Sequence, residues 1–360
     1  MSLRWRHPIH GLPFDEPIAQ ALAREFREQP LGRRFQAVRK ALARDAMLVV
    51  TGQALRHVGR VPDHVGRMLW VYTWTTVGDA VMDLAPRRLI PASIEVDLLV
   101  APALAPLFVG DSRFRAVHTD AAACADDYDF ILLDSMRTAS LRMKRTRFRR
   151  LPFATMRGHH AGERFDRAAF ADRRLRQLFG VPPGPVEAPR LEVEHDPRLR
   201  GEADRFLVAL ALGARLKRKM YPHWPEVLEA VCEQWPTGRP APEFRLLGQG
   251  RAAREQQAEL MGLAVGSRCA SRIDAGALDT TARELAACDA FLGVDGGLMH
   301  VAVGVGIPGL ALFTRVDPVY FLRPVSSMVA LRTDDELAAL PPATVAAAFL
   351  AALPGFGASR

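Results

Sequence analysis

Short apolar runs separated by helix-length polar intervals run through most of the chain, and their spacing sets the reading of the fold. Residues 1–65 read as mainly helical. Glu16–Gln29 and Leu31–Leu48 mix Ala, Leu, Arg and Glu with apolar residues at helical spacing, and Pro62 ends the segment. Met68–Trp74 then reads as a strand, Val77-Gly78-Asp79 as a loop entering a helix, and Ile94–Val100 as a second strand; Val117 and Phe130–Asp134 continue the series. Strands this short with helices between them predict a parallel βαβ sheet rather than a sandwich of hairpins.

One stretch interrupts the plan. Val181–Pro197 contains Pro182, Pro183, Pro185, Pro189 and Pro197 with Gly184 and several acids, poor material for a packed element, and reads as a linker. Beyond it the alternation resumes. Phe206–Leu212 and Phe244–Leu247 read as strands, Trp224–Gln234, Arg251–Met261 and Thr281–Cys288 as helices, and Ala290–Val294 as a further strand. The expected organisation is a helical extension over 1–65, an α/β domain over 66–180, a linker over 181–200, a second α/β domain over 201–345 and a tail over 346–360. Ligands of open parallel sheets bind beyond the carboxyl ends of the strands, so Gly78-Asp79 and the segment after Val294 are expected to face one cleft.

Composition narrows the class. With 360 residues, 49% of them hydrophobic, the chain can fill two cores, which excludes a small stapled fold. Cys124, Cys232, Cys269 and Cys288 are far apart and lack metal-site spacing, so isolated thiols are expected rather than disulfides or a zinc knuckle. No uninterrupted apolar run reaches the roughly 18 residues of a membrane span, and a cytoplasmic protein is expected. A formal net charge of +8 favours anionic partners without choosing among them. The densest basic run is Arg142, Lys144, Arg145, Arg147, Arg149 and Arg150, interleaved with Leu141, Met143, Phe148 and Leu151. It reads as a solvated face or as a docking surface for an acceptor or for peripheral contact with an anionic inner membrane. No nucleic-acid motif accompanies it, and no nucleic-acid partner is expected.

The segment richest in chemistry is Asp295-Gly296-Gly297-Leu298-Met299-His300, between the apolar run Ala290–Val294 and the small-residue run Val301–Ile307 that leads through Pro308 to Leu310–Phe313. Such a strand, glycine loop and helix lets backbone approach a ligand closely and offers unpaired N–H groups at the helix start, which suits a diphosphate. Asp79 reads two ways from the residues alone: a cap on the helix after Gly78, or a carboxylate able to accept a proton.

The run Leu285 to Ala302 around this loop, followed by Gly306-Ile307-Pro308 and Leu312-Phe313-Thr314-Arg315-Val316-Asp317-Pro318, resembles the signature of the heptosyltransferases, bacterial ADP-heptose lipopolysaccharide glycosyltransferases. The resemblance extends from about Val71 to Pro318. It implies a GT-B fold of two Rossmann-like lobes facing a central cleft, and metal-independent inverting transfer with no cofactor. A nucleotide-sugar donor, ADP-linked, would be held mainly by the second lobe, and the acceptor would be a lipopolysaccharide-like glycan or glycolipid. Thr75-Thr76-Val77-Gly78-Asp79 resembles the loop whose Asp serves the family as general base. Asp295, Gly296, Gly297 and His300 fall on the donor side, although the family commonly carries Thr or Ser where Gly296 stands. Lys217-Arg218-Lys219 with Trp224-Pro225 resembles the basic segment opening the second lobe, which makes Lys217 and Lys219 alternative diphosphate contacts. Gln249, in Leu247-Gly248-Gln249-Gly250, and Glu255 are the nucleoside candidates. Two other readings stay open: an inactive two-lobed scaffold and a sugar-nucleotide epimerase. A dehydrogenase is disfavoured, because no Gly-x-Gly-x-x-Gly follows a first strand with an acid about 20 residues on.

Overall fold

The computed structural model describes residues 23–158, 164–201, 204–323 and 326–355. The chain divides into two compact units, one formed by 1–75 with 82–187 and the other by 76–81 with 188–360. The helix expected over Glu16–Gln29 lies partly outside the described residues; 23–28 are helical.

The first unit opens with α1 (Leu31–Val50), a helix of 20 residues that buries only Ala41 and Leu48. Its sheet runs β3-β2-β1-β4-β5, all parallel, from β1 (Arg67–Val71), β2 (Glu95–Leu99), β3 (Ala116–His118), β4 (Phe130–Leu133) and β5 (Phe153–Thr155). Met68–Val71 and Phe130–Leu133 are fully buried, which is why both read in sequence as unbroken apolar runs instead of alternating ones. Along the chain come also α2 (Val77–Asp83), whose residues 77–81 belong to the other unit, and α3 (Thr138–Thr146) and α4 (Arg167–Phe179) of this one. Sequence pattern missed α4, whose arginines mask its buried face of Ala168, Phe170, Ala171, Leu175 and Leu178.

A buried ionic cluster closes this unit. Asp83 receives two hydrogen bonds from Arg167, from Nε at 2.8 Å and from Nη2 at 2.8 Å, one from Tyr72 Oη at 3.0 Å, and one from Arg157. Burial alone would raise the carboxyl, but the two guanidinium groups outweigh it and hold it below the usual carboxylate range. A depressed folded-state value means that the stabilisation is complete above the unfolded value and is lost only as pH falls through the folded one. Asp83→Asn leaves the two arginines without their counter-charge, so a loss of about 3 kcal/mol or more is expected at neutral pH. Melting curves against pH should show the gap between wild type and variant closing only in strong acid.

The second unit carries six parallel strands in the order β11-β10-β9-β6-β7-β8. They are β6 (Phe206–Ala211), β7 (Pro242–Gly248), β8 (Cys269–Ile273), β9 (Ala290–Val294), β10 (Gly309–Thr314) and β11 (Met328–Thr333), with α5 (Trp224–Glu233), α6 (Gly250–Met261), α7 (Leu278–Ala286), α8 (Gly297–Val305) and α9 (Pro342–Ala352). Counted from β8, this is the doubly wound order 3-2-1-4-5-6, and the first sheet follows the same scheme with five strands. Strand order reverses between β1 and β4 in one unit and between β6 and β9 in the other, and those are the positions where a ligand crevice opens.

The core of the second unit packs Val208, Leu210, Leu246, Leu292 and Leu312 against Trp224, Val227 and Val231 of α5 and Val345, Ala346 and Phe349 of α9. Residues 346–352 are therefore core helix, where the sequence reading places a tail. The proline-rich segment is not wholly a free connector either: Leu191 N donates to Gly304 O at 2.8 Å, and the Leu191 side chain rests on that glycine. Edge strand β8, Cys-Ala-Ser-Arg-Ile, is only partly buried and has no apolar run for a pattern to find. The four cysteines are free thiols, Cys124 and Cys288 buried and Cys232 and Cys269 half-buried.

Candidate functional site

The carboxyl end of β9 leads directly into the glycine loop. Asp295 N donates to Leu312 O at 2.9 Å, which continues the sheet by one residue and fixes where its side chain starts. Gly296 follows in extended conformation, φ −179°, at the N-cap of α8, and no side chain caps the helix there. The first N–H groups of α8 thus keep their donors uncapped by any side chain, and the positive end of the helix dipole adds to them. A Cβ on Gly296 would come no closer than 3.8 Å to any heavy atom, so this place in the loop is open.

Lys219 supplies the matching cation. Its Nζ lies 2.5 Å from Asp295 Oδ2, and the Asp295 side chain is only 9% exposed. The single turn Lys217–Lys219 is held from behind by Tyr221, whose hydroxyl donates to Leu340 O at 3.0 Å, and by Gln256. Gln256 accepts from Gly213 N at 2.8 Å and donates to Tyr221 O at 2.7 Å, tying the end of β6 to this turn. The structure therefore separates the two candidate lysines: Lys219 meets the loop, while Lys217 is exposed.

Thr76–Val81 belong to the same unit as this loop. Gly78 and Asp79 stand inside α2, not in a loop before it, because the helix starts at Val77. Thr76 occupies the position ahead of the helix, Ala80 N donates to Thr76 O at 3.1 Å, and the Thr76 hydroxyl donates to the Asp79 carboxylate. Asp79 is half-buried. Gly78 is required by close approach, since a Cβ there would lie 2.3 Å from His300 Cδ2. His300 itself is 4% exposed and meets Phe321 edge to face at 6.1 Å, so it braces the contact between α2 and α8. Gly297 also sits tightly, with its would-be Cβ 3.2 Å from Val77 Cβ. Asp79, Lys219, Asp295, Gly296, Gly297 and His300 are thus drawn to two helix starts that touch.

A carboxylate that sequence reasoning missed lies at the end of β4. Asp134 is buried and accepts from Thr73 N at 2.7 Å, Thr73 Oγ1 at 2.6 Å, Ser140 Oγ at 2.7 Å and Ser135 Oγ at 3.2 Å. Burial raises its pKa above the ordinary carboxylate value despite those donors. The signal was available: an Asp directly after the buried run Phe130–Leu133, beside the first strand, stands at the strand-order reversal.

The nucleoside candidates remain on the surface. Gln249 is exposed and precedes α6, while Glu255 accepts from Arg251 Nε at 2.6 Å on the outer side of that helix. The basic run needs one correction. Lys144 is 1% exposed, donating to Gln53 Oε1 at 2.7 Å and lying 5.0 Å from the centre of the Phe153 ring; burial pulls its pKa down to about 8. It serves packing. Arg147 pairs with Asp126 at 2.5 Å, whereas Arg142, Arg145, Arg149 and Arg150 are exposed. Among the described residues no group of three His, Cys, Asp or Glu side chains is placed to hold a metal ion. No helix among them is long and apolar enough to cross a membrane.

Comparison with known proteins bears on the fold. A glycosyltransferase family 9 structure from Veillonella parvula DSM 2008 superposes with a TM-score of 0.65 at 12% identity, covering 80% of this chain and 97% of that one. The E. coli ADP-heptose LPS heptosyltransferase II gives 0.59 at 18% identity, covering 78% and 96%. E. coli heptosyltransferase WaaC with ADP gives 0.54 at 18% identity, covering 77% and 95%. These likenesses establish the two-sheet GT-B fold. No curated protein matches the sequence. Residues 173–338, which run from α4 through the Lys219–Asp295 pair to β11 and beyond, match the sequence model of glycosyltransferase family 9 (heptosyltransferase). The second half of the chain is thus similar in sequence to glycosyltransferase family 9, and the whole chain has the GT-B fold.

Proposed function

We propose that the enzyme transfers heptose or a related sugar from an ADP-linked donor to a lipopolysaccharide-like glycan or glycolipid, in the cytoplasm, with inversion and without a metal. The observation that carries this reading is the Lys219–Asp295 pair beside the open N-terminus of α8. A nucleoside diphosphate leaves with growing negative charge on its terminal oxygen, and Lys219 Nζ with the first N–H groups of α8 offers fixed positive charge and dipoles to meet it. Asp295, neutralised by Lys219, keeps one carboxylate oxygen for a donor hydroxyl. Asp79 accepts the proton of the acceptor hydroxyl as that oxygen bonds to the anomeric carbon and the bond to the diphosphate breaks. His300 shapes the site by holding α2 against α8. The exposed arginines of the 142–150 run meet an anionic acceptor or membrane. The ADP named in the E. coli WaaC structure supports adenine as the base.

Gly296→Asp tests the donor half without disturbing the fold, since an added Cβ there meets open space whereas one on Gly297 presses on Val77. Calorimetry should show ADP binding to wild type and an affinity loss of at least about tenfold in the variant, because a carboxylate then stands where the phosphate approaches. Equal affinity would take the loop out of the donor site.

A further inference from the structure

Helix α1 buries one side only. On the other, Leu31, Phe35, Leu42 and Val49 are 56 to 77% exposed, and their spacing of four, seven and seven residues aligns them in one stripe. Val50 at the end of the helix and Leu55 in the turn that follows add to it, 85% and 88% exposed. Its far end is fastened to the basic run: Gln53 Nε2 donates to Arg149 O at 3.1 Å, Arg56 donates to Arg150 O, and Leu48 shares a core with Leu141 and Phe148. Exposed Arg142, Arg145, Arg149 and Arg150 therefore adjoin exposed Val49, Val50 and Leu55, while exposed Arg39 flanks the stripe of α1.

We propose that this combined face docks on an anionic phospholipid bilayer, with the apolar stripe of α1 entering the headgroup boundary and the arginines lying on lipid phosphates. An apolar stripe this continuous marks an interaction site. Charge chooses its occupant. A second copy paired through α1 would set Arg34 and Arg39, which flank the stripe, and the neighbouring arginines of the 142–150 run against the same cations, with Asp45 as the sole acid of the helix to offset them. An anionic surface attracts every one of those cations, and a basic helix with a Phe and Leu stripe has the composition of an interfacial helix. The proposal extends the docking part of the proposed function to α1 and stands apart from sugar transfer.

Its test contains no sugar. Full-length protein is sedimented with phosphatidylcholine vesicles lacking or containing phosphatidylglycerol, at low and high salt, and its mass is followed by light scattering. Phe35→Glu/Leu42→Glu changes two exposed residues, and Arg145→Gln/Arg149→Gln/Arg150→Gln changes three; a cooperative melting transition matching wild type checks that both variants are folded. Wild type should bind only the anionic vesicles, each variant should bind about tenfold or more weakly, and the arginine variant should also lose most of the salt dependence. Wild type that ignores anionic vesicles, or a Phe35→Glu/Leu42→Glu protein that binds as well as wild type, overturns the proposal. So does a wild-type dimer that this variant dissolves, which would give the stripe to a second copy.

Discussion

An Asp79→Asn enzyme is expected to turn over its sugar roughly 10²-fold or more slowly than wild type while keeping its donor affinity and melting temperature. The local geometry makes this substitution informative. Asp79 takes the Thr76 hydroxyl with a carboxylate oxygen, and the amide oxygen of Asn can accept the same hydrogen bond. Thr76 stands ahead of α2 and Asp79 is the third residue of the helix, so the substitution leaves the residue at the helix start unchanged. What Asn lacks is the capacity to hold the acceptor's proton. A variant that transfers sugar at the wild-type rate would reduce Asp79 to a partner of Thr76. In that event Asp134 becomes the next carboxylate to examine.

Lys219→Met is expected to weaken ADP binding at least about tenfold and to destabilise the second unit, whereas Lys217→Met should do neither. Two effects add here. The Asp295 side chain is 9% exposed, so removing its cation strands a largely buried carboxylate; breaking a buried pair costs about 3–5 kcal/mol, and the 22% exposure of Lys219 puts this case near the lower end. The diphosphate also loses its fixed positive charge. Lys219→Met/Asp295→Asn separates the two, because neutralising both partners should restore most of the stability but not the ADP affinity. Recovery of both in the double variant would make the pair purely structural.

The parts of the fold that were legible are those whose signal is local. Met68–Val71 and Ala290–Val294 are fully buried central strands, and burial on both faces produces the apolar runs by which they were recognised. The glycine loop was legible for the same reason, since a strand, two glycines and a small-residue helix follow one another without a break. Other features depend on distant partners. Nothing local distinguishes Lys217 from Lys219; the difference is Asp295, 76 residues from Lys219. Lys144 looked like one more surface cation in a basic run, yet it folds inward to Gln53, 91 residues away. Gly78 and Asp79 read as loop because a glycine normally weakens a helix, and only the His300 ring against Gly78 explains why one stands inside α2. Helix α9, nearly all alanine and other apolar residues, shows little periodicity and so read as a tail rather than as the element that completes the second core.

The central claim is that this protein moves a sugar from an ADP-linked donor. Its most direct test is turnover of a panel of ADP-, UDP-, GDP- and dTDP-sugars by wild type and Asp79→Asn in parallel, with release of the nucleoside diphosphate followed by mass spectrometry. The expected result is release of ADP by wild type, little or none from the other three nucleotides, and a large fall in the variant. Release of a different nucleoside diphosphate, or no release from any donor by folded wild-type protein that binds ADP, would contradict the account.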